Sequence, residues 1–233
     1  MFDVIIVGAG AAGMSCALVL GSAKERPYVS NKHIGIITHQ KSSHLQTALF
    51  NNVLGIVPGT TGASILESGK EQLASLYPQI EQIEKEKVRE LINNQDHFVV
   101  VTNKGSYKTK IVVVAVGYTD LITIKGLANY IEPHPRAAKE KNRIWLKNTN
   151  HLVEENLYVA GTLAGWRSQF AIASGSGAHV ATDILTLWND GKHTKVHLKH
   201  EKTLFRNASV KLTVFTVNSY AANSTCYPVA GLP

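Results

Sequence analysis

Cysteine is nearly missing from this 233-residue chain: Cys16 and Cys226 are its only two, far apart in sequence. No C-x-x-C pair occurs, so neither a redox-active disulfide of that type nor a cysteine-rich zinc site can be built. Cys16 stands in an apolar helical run and reads as a small core residue. Long hydrophobic runs are also lacking, and none is sufficient for a helix to span a bilayer, so no membrane partner is expected. The N-terminus is apolar, but it has no basic leader and is interrupted by Asp3; a signal peptide is not expected, and the cytoplasm is the expected compartment. Aromatic residues make up only 7%, and the formal charge of +7 forms no basic stripe interleaved with them. Nucleic acid is therefore not an expected partner. Part of the positive excess lies in residues 191–206, and an anionic cofactor or an acidic partner accounts for it equally well.

The apolar share of 44% and charged share of 18% are those of an ordinary globular protein, long enough for one large α/β domain or two small ones. Residues 3–7 (DVIIV) read as a buried parallel strand, residues 8–13 (GAGAAG) as a turn, and residues 14–20 as a helix ending near Gly21. A second strand at 34–37 (IGII) completes a βαβ unit, which is right-handed almost without exception. Residues 64–77 have the apolar spacing of a helix. Strand-like pieces follow at 88–92, 98–102 and 110–116, and the turn Asn103-Lys104-Gly105 suggests an antiparallel meander. A further strand is expected at 156–160, a short one around 143–146 (RIWL), and a helix over 169–189 with Gly191 beyond its end.

Residues 192–233 fit this scheme poorly. Residues 210–217 (VKLTVFTV) suit one strand, and the rest is polar and turn-rich. A lone strand is marginal unless it joins a sheet, so a homo-oligomer paired through it is one expectation. His193, His197 and His200 resemble a metal cluster only loosely, a solvated tail is the simpler reading, and no metal site is expected. Asn207 and Asn223 stand in glycosylation acceptor triplets, which carry no meaning in a cytosolic protein.

The chemistry is concentrated at Gly8-x-Gly10-x-x-Gly13. In such a pattern the first glycine permits the tight turn, the second lets backbone approach a pyrophosphate, and the third allows close packing of helix on strand. The helix that begins after this turn presents unpaired N–H groups and the positive end of its dipole to phosphates, with Ala11 and Ala12 of the turn counted among the cofactor-binding residues. A dinucleotide is the expected ligand. The acid that normally follows the second strand and binds ribose is absent; Thr38, His39, Gln40 and Lys41 stand there instead. Two readings remain open on these residues alone. Thr38 or His39 bonds the ribose hydroxyls of FAD, or His39 and Lys41 face the 2′-phosphate of NADP.

Residues 156–185 (NLYVAGTLAGWRSQFAIASGSGAHVATDIL) resemble the second flavin motif of thioredoxin reductases and related pyridine nucleotide-disulfide oxidoreductases. The family's Gly-Asp is Gly161-Thr162 here, its helix-start glutamine is matched by Gln169, beside Phe170, and its helix glycines by Gly175 and Gly177. Residues 111–117 (IVVVAVG) are similar to the family's strand ending in Ala-Thr-Gly, with Ala115, Val116 and Gly117 here. Residues 44–62 look like the segment beside the isoalloxazine, where Gln46, Asn51 and Asn52 hold positions of polar flavin contacts.

The resemblance covers residues 1–117 and 151–191. It implies an α/β fold: a Rossmann-like FAD-binding domain with a central parallel sheet plus a small antiparallel meander, and residues 192–233 as a divergent tail. It also implies FAD as cofactor and electron or hydride transfer at flavin N5. Between its two halves the family inserts an NAD(P)-binding domain that carries, in thioredoxin reductases, the C-x-x-C; here only residues 118–150 intervene, too few for a second βαβαβ unit and without a glycine fingerprint. The electron donor is then a protein partner or a small reductant, left unidentified. No side chain is singled out as acid or base, although His39 and His44 are candidates. An NADP(H)-binding reductase using the N-terminal site, a non-catalytic flavin-binding module, and a Rossmann-like domain that has lost its cofactor remain as alternatives.

Overall fold

The computed structural model describes residues 1–39, 45–118 and 123–196. The compact unit they form runs Met1–Val196. Its elements in order are β1 (Phe2–Val7), α1 (Ala11–Ser22), β2 (Ile34–Thr38), β3 (Leu49–Phe50), β4 (Thr60–Thr61), α2 (Gly62–Leu76), β5 (Ile80–Glu84) and β6 (Val88–Asn94). These are followed by β7 (His97–Thr102), β8 (Ser106–Val114), β9 (Ile131–Pro133), β10 (Ile144–Leu146), β11 (Leu152–Glu154), β12 (Leu157–Val159) and α3 (Phe170–Trp188).

The central sheet runs β11-β12-β8-β1-β2-β5, with β12, β8, β1, β2 and β5 parallel and β11 antiparallel at one end. β8 is long enough to take two neighbours within the same sheet: residues 106–109 pair with β7 in the β6–β7–β8 meander, and residues 112–114 pair with β12. Alternation along the strands decides the layers. Val4 and Ile6 of β1 face a core shared with Cys16, Ala17 and Leu20 of α1, Leu73 of α2, and Val180, Ala181 and Ile184 of α3. Ile5 and Val7 face the opposite core, filled by Leu91, Phe98 and Val100 of the meander and by Leu127, Leu146 and Leu163. Each such side chain, fully buried, contributes roughly 1.5–3 kcal/mol of transfer free energy. The α/β class, the parallel sheet and the meander all match expectation. Cys16 lies fully buried in the first core, where burial pushes its thiol pKa far up.

Two features differ from expectation. β5 pairs parallel with β2 as an edge strand and was not foreseen, because Ile80 and Ile83 are three apart and separated by exposed or half-buried acids and amides. Residues 192–196 stay on the compact unit: Thr194 is buried, Val196 packs on the helical core, and the Arg26 guanidinium donates to the Lys195 carbonyl at 3.0 Å. The compact unit thus continues past residue 191, to Val196. The proposed strand over 210–217, His197, His200, Asn207 and Asn223 lie outside the described residues, as does Cys226.

Residues 118–150 contain a β9–β10 hairpin, with β10 at Ile144–Leu146 where a strand was expected around 143–146, and reach back to the loop after β12. His134 accepts from the Arg136 backbone N–H at Nδ1, which leaves the Nε2 proton to donate to the Thr162 carbonyl at 3.1 Å. Arg136 donates to the Gly165 carbonyl at 2.6 Å, and Asn148 donates to Leu146 and Ala164 while accepting from the His151 N–H. This short segment thus clamps residues 162–165, ahead of α3. No helix among the described residues is long and apolar enough to cross a membrane.

Candidate functional site

The carboxyl ends of β1, β2, β8 and β12 converge on one cleft of about 690 Å³. β8 lies on one side of β1 and β2 on the other, so the cleft opens where the strand order switches direction, the usual ligand position in open α/β sheets.

The three N-terminal glycines have separable roles. Gly8 sits at φ +102°, and a Cβ there would lie 2.7 Å from the Ala115 carbonyl oxygen, so only glycine fits the turn. A Cβ on Gly13 would lie 1.8 Å from the Gly8 carbonyl oxygen, which enforces close packing of α1 on the turn. Gly10 is different: it caps α1 in extended backbone (φ −77°, ψ −167°), and nothing lies within 4 Å of where its Cβ would project. Gly10, Ala11 and Ala12 line the cleft at the helix N-terminus, where the first-turn amides lack intrahelical partners. The room in front of Gly10 is what an anionic group laid on that helix end requires.

Across the cleft stand Ala115, Val116 and Gly117 after β8, and Gly161 and Thr162 after β12. Gly161, at φ +77°, is fixed from behind: its N–H donates to Ser176 Oγ at 2.7 Å, and Ser176 lies 3.4 Å from His151 Nδ1, which bonds the Val159 carbonyl at 2.9 Å. Burial pushes the His151 pKa below its ordinary value, and the neighbouring His179 works in the same direction. Ser168, Phe170 and Ala173, at the start of α3, complete that wall, and Phe170 meets Phe50 with ring centroids 5.2 Å apart.

His39, exposed, also lines the cleft, whereas Thr38 is buried at the end of β2. The segment 45–62 borders the cleft through Leu45, Ala48 and Phe50 rather than through the amides expected there. Asn51 is spent in the β3–β4 turn, its Oδ1 accepting from the Gly59 N–H at 2.8 Å; Asn52 is exposed in the same turn, and Gln46, half-buried, is not part of the lining. Gln169 is the exposed cap of α3, whose carbonyl accepts the Ala173 N–H, and its neighbour Phe170 supplies the contact instead. Gly175 and Gly177 lie in α3, and Gly177 packs against α1. Gln40, Lys41 and His44 lie outside the described residues.

Sequence reasoning missed Glu86, Lys87 and Tyr118, which also line the cleft. Lys85-Glu86-Lys87 reads as a solvated charge run, but Glu86 is 8% exposed. Its carboxylate accepts from the Thr102 hydroxyl at 2.7 Å and the Tyr107 hydroxyl at 3.1 Å, and its backbone N–H donates to the Thr38 carbonyl at 3.3 Å. No local sequence signal marks Glu86, because the two hydroxyls that hold it come from β7 and β8, 16 and 21 residues further along.

Comparison with known proteins agrees with this architecture. An uncharacterized oxidoreductase, CzcO, of Bacillus velezensis is 23% identical over 193 residues, 79% of this chain; the match spans about half (52%) of that relative's length. A thioredoxin reductase from Gloeobacter violaceus superimposes with a TM-score of 0.68 at 15% identity, covering 85% of this chain and 99% of that one. A ferredoxin-flavin thioredoxin reductase from Clostridium acetobutylicum superimposes with a TM-score of 0.59 at 16% identity, covering 81% and 98%. The family model described as pyridine nucleotide-disulphide oxidoreductase matches residues 2–167, most of the described unit, and the chain belongs to that family of oxidoreductases.

Proposed function

We propose that this chain is a FAD-dependent oxidoreductase in which FAD lies along the cleft, its pyrophosphate on the N-terminus of α1 and its ring against Phe50, Phe170 and the start of α3. The observation that carries this reading is the open space in front of Gly10, inside a cleft whose other two motif glycines are closed off by backbone. The protein contributes placement and electrostatics, and the flavin, when bound, supplies electron or hydride transfer at N5. Gly10, Ala11 and Ala12 would hold the phosphates through first-turn amides. The positive end of α3, 19 residues long, favours negative charge at the pyrimidine edge. Thr162 replaces the family's aspartate with a neutral hydroxyl, so this wall of the cleft adds no anion of its own.

Residues 118–150 are too short for a second nucleotide-binding unit, and the chain has no C-x-x-C. Electrons therefore reach the flavin from a partner protein or a small reductant. The Clostridium acetobutylicum relative is a ferredoxin-flavin enzyme, and a protein donor of that general kind suits this chain. Turnover tests the reading: the FAD-loaded protein should pass electrons from a chemical reductant to an artificial acceptor well beyond one equivalent. Transfer that stops at one equivalent would indicate a flavin-binding module without catalysis.

A further inference from the structure

The acid that should follow β2 is missing, yet an acidic residue, Glu86, lines the cleft beside that end. We infer that Glu86, delivered from the turn between β5 and β6, is the ligand for the vicinal hydroxyls of the adenosine ribose; the inference rests on the proposed FAD site. The placement comes from the backbone. Glu86 N–H bonds to the carbonyl of Thr38, the last residue of β2, so the side chain starts from the point where a ribose-binding acid ordinarily stands. Glu86 and His39 line the same cleft as Gly8 and Gly10.

The hydrogen-bond inventory shows why a ligand is called for. An ionised carboxylate has about four acceptor positions. Thr102 and Tyr107 supply one hydroxyl proton each, and the Tyr107 oxygen is equidistant, at 3.1 Å, from both carboxylate oxygens. Both donors are neutral, and no ion pair offsets the charge among the described residues. About half the acceptor capacity of a largely buried carboxylate is left over, on a residue that lines the cleft. A ribose cis-diol supplies two hydroxyl protons with no competing charge, which matches the remainder. A 2′-phosphate would bring like charge against the carboxylate, so Glu86 also selects against NADP at this site. Thr102 and Tyr107 are positioning residues: they hold the carboxylate in one orientation before ligand arrives.

The test compares binding of FAD and of its 2′,3′-dideoxyadenosine analogue to flavin-stripped full-length protein. Hydrogen bonds to a charged acceptor predict that the wild type prefers FAD by about tenfold or more. Glu86→Gln should lose that preference, weakening FAD while leaving the analogue's affinity unchanged. If Glu86→Gln does not fold, Glu86→Asp, which keeps the charge but withdraws it by one methylene, should show the same loss of preference. Equal binding of the two flavins by the wild type, or an equal loss for both in the variant, would overturn the assignment while leaving the flavin site intact. Failure of the wild type to bind either flavin would instead remove the FAD reading, and the assignment with it.

Discussion

A Cβ on Gly177 would stand 1.9 Å from the carbonyl oxygen of Ala12, so α3 crosses α1 at backbone contact directly behind the proposed phosphate site. Any side chain at 177 must force the helices apart and shift the first turn of α1. Gly177→Ala should cost about 3 kcal/mol, the upper part of the overpacking range, and lower Tm by roughly 6–12 °C. Because Ala12 lines the cleft, flavin content should fall with stability. Thermal melts together with flavin-to-protein ratios check this, and a variant as stable as the wild type would refute the contact.

Gly10 separates binding from folding. Its backbone is extended, open to any L-residue, and its Cβ position is empty. Gly10→Val should therefore keep the circular dichroism and Tm of flavin-free wild type while losing FAD, because the branched side chain fills the phosphate path. Gly13→Ala should do the reverse and fail to fold, since its Cβ meets the Gly8 carbonyl at 1.8 Å. A folded Gly10→Val protein that retains stoichiometric FAD would place the cofactor elsewhere.

His151 makes stability pH-dependent. Burial first, then His179, lowers its folded pKa, while the Val159 bond and Asp183 pull it back only in part. The unfolded imidazole, near 6.5, takes a proton more readily than the folded one. Its contribution is thus fully present above pH 6.5 and is lost as pH falls below that value through the folded pKa. Tm should drop as pH falls below about 7, and His151→Gln should flatten part of that drop. Identical pH slopes for the two proteins would exclude His151 as the source.

Much of this architecture was legible in the chain itself. β1, β2 and the last four residues of β8 are mostly continuous apolar runs, and the turns at Gly8 and Asn103 announce themselves. Gly8 and Gly13 of the motif answer a backbone demand, a positive φ or a close approach, and Gly10 was legible from its spacing between them. β5 was not, because Ile80 and Ile83 fit neither a strand's period nor a helix of that length, and β3 and β4 are too short to leave any period. The lining of the cleft was read less well. Asn51 looked like a ligand because of its position along the chain, but its side chain closes a local turn. Glu86 was not singled out: it stands between lysines, and its burial depends on Thr102 and Tyr107, distant in sequence.

Truncation tests the boundary. A chain ending at Val196 keeps Thr194 and Val196 on the core and should bind FAD as the full chain does. A chain ending at Gly191 should be less stable, because it uncovers that part of the core and loses the Arg26–Lys195 bond. Loss of FAD from the Val196 form would show that later residues serve the site.

Reduced nicotinamides should reduce the bound flavin only slowly and without saturation, since no second glycine fingerprint exists to hold their phosphates. Stopped-flow reduction over a range of NADH and NADPH concentrations checks this. Fast reduction that saturates would reveal a nicotinamide site.

The most direct test of the central claim is the cofactor itself. The purified full-length protein, incubated with FAD and desalted, should show a flavin absorbance spectrum and release equimolar FAD, identified by mass, on denaturation. A protein that stays colourless and releases no FAD after that treatment would contradict the account.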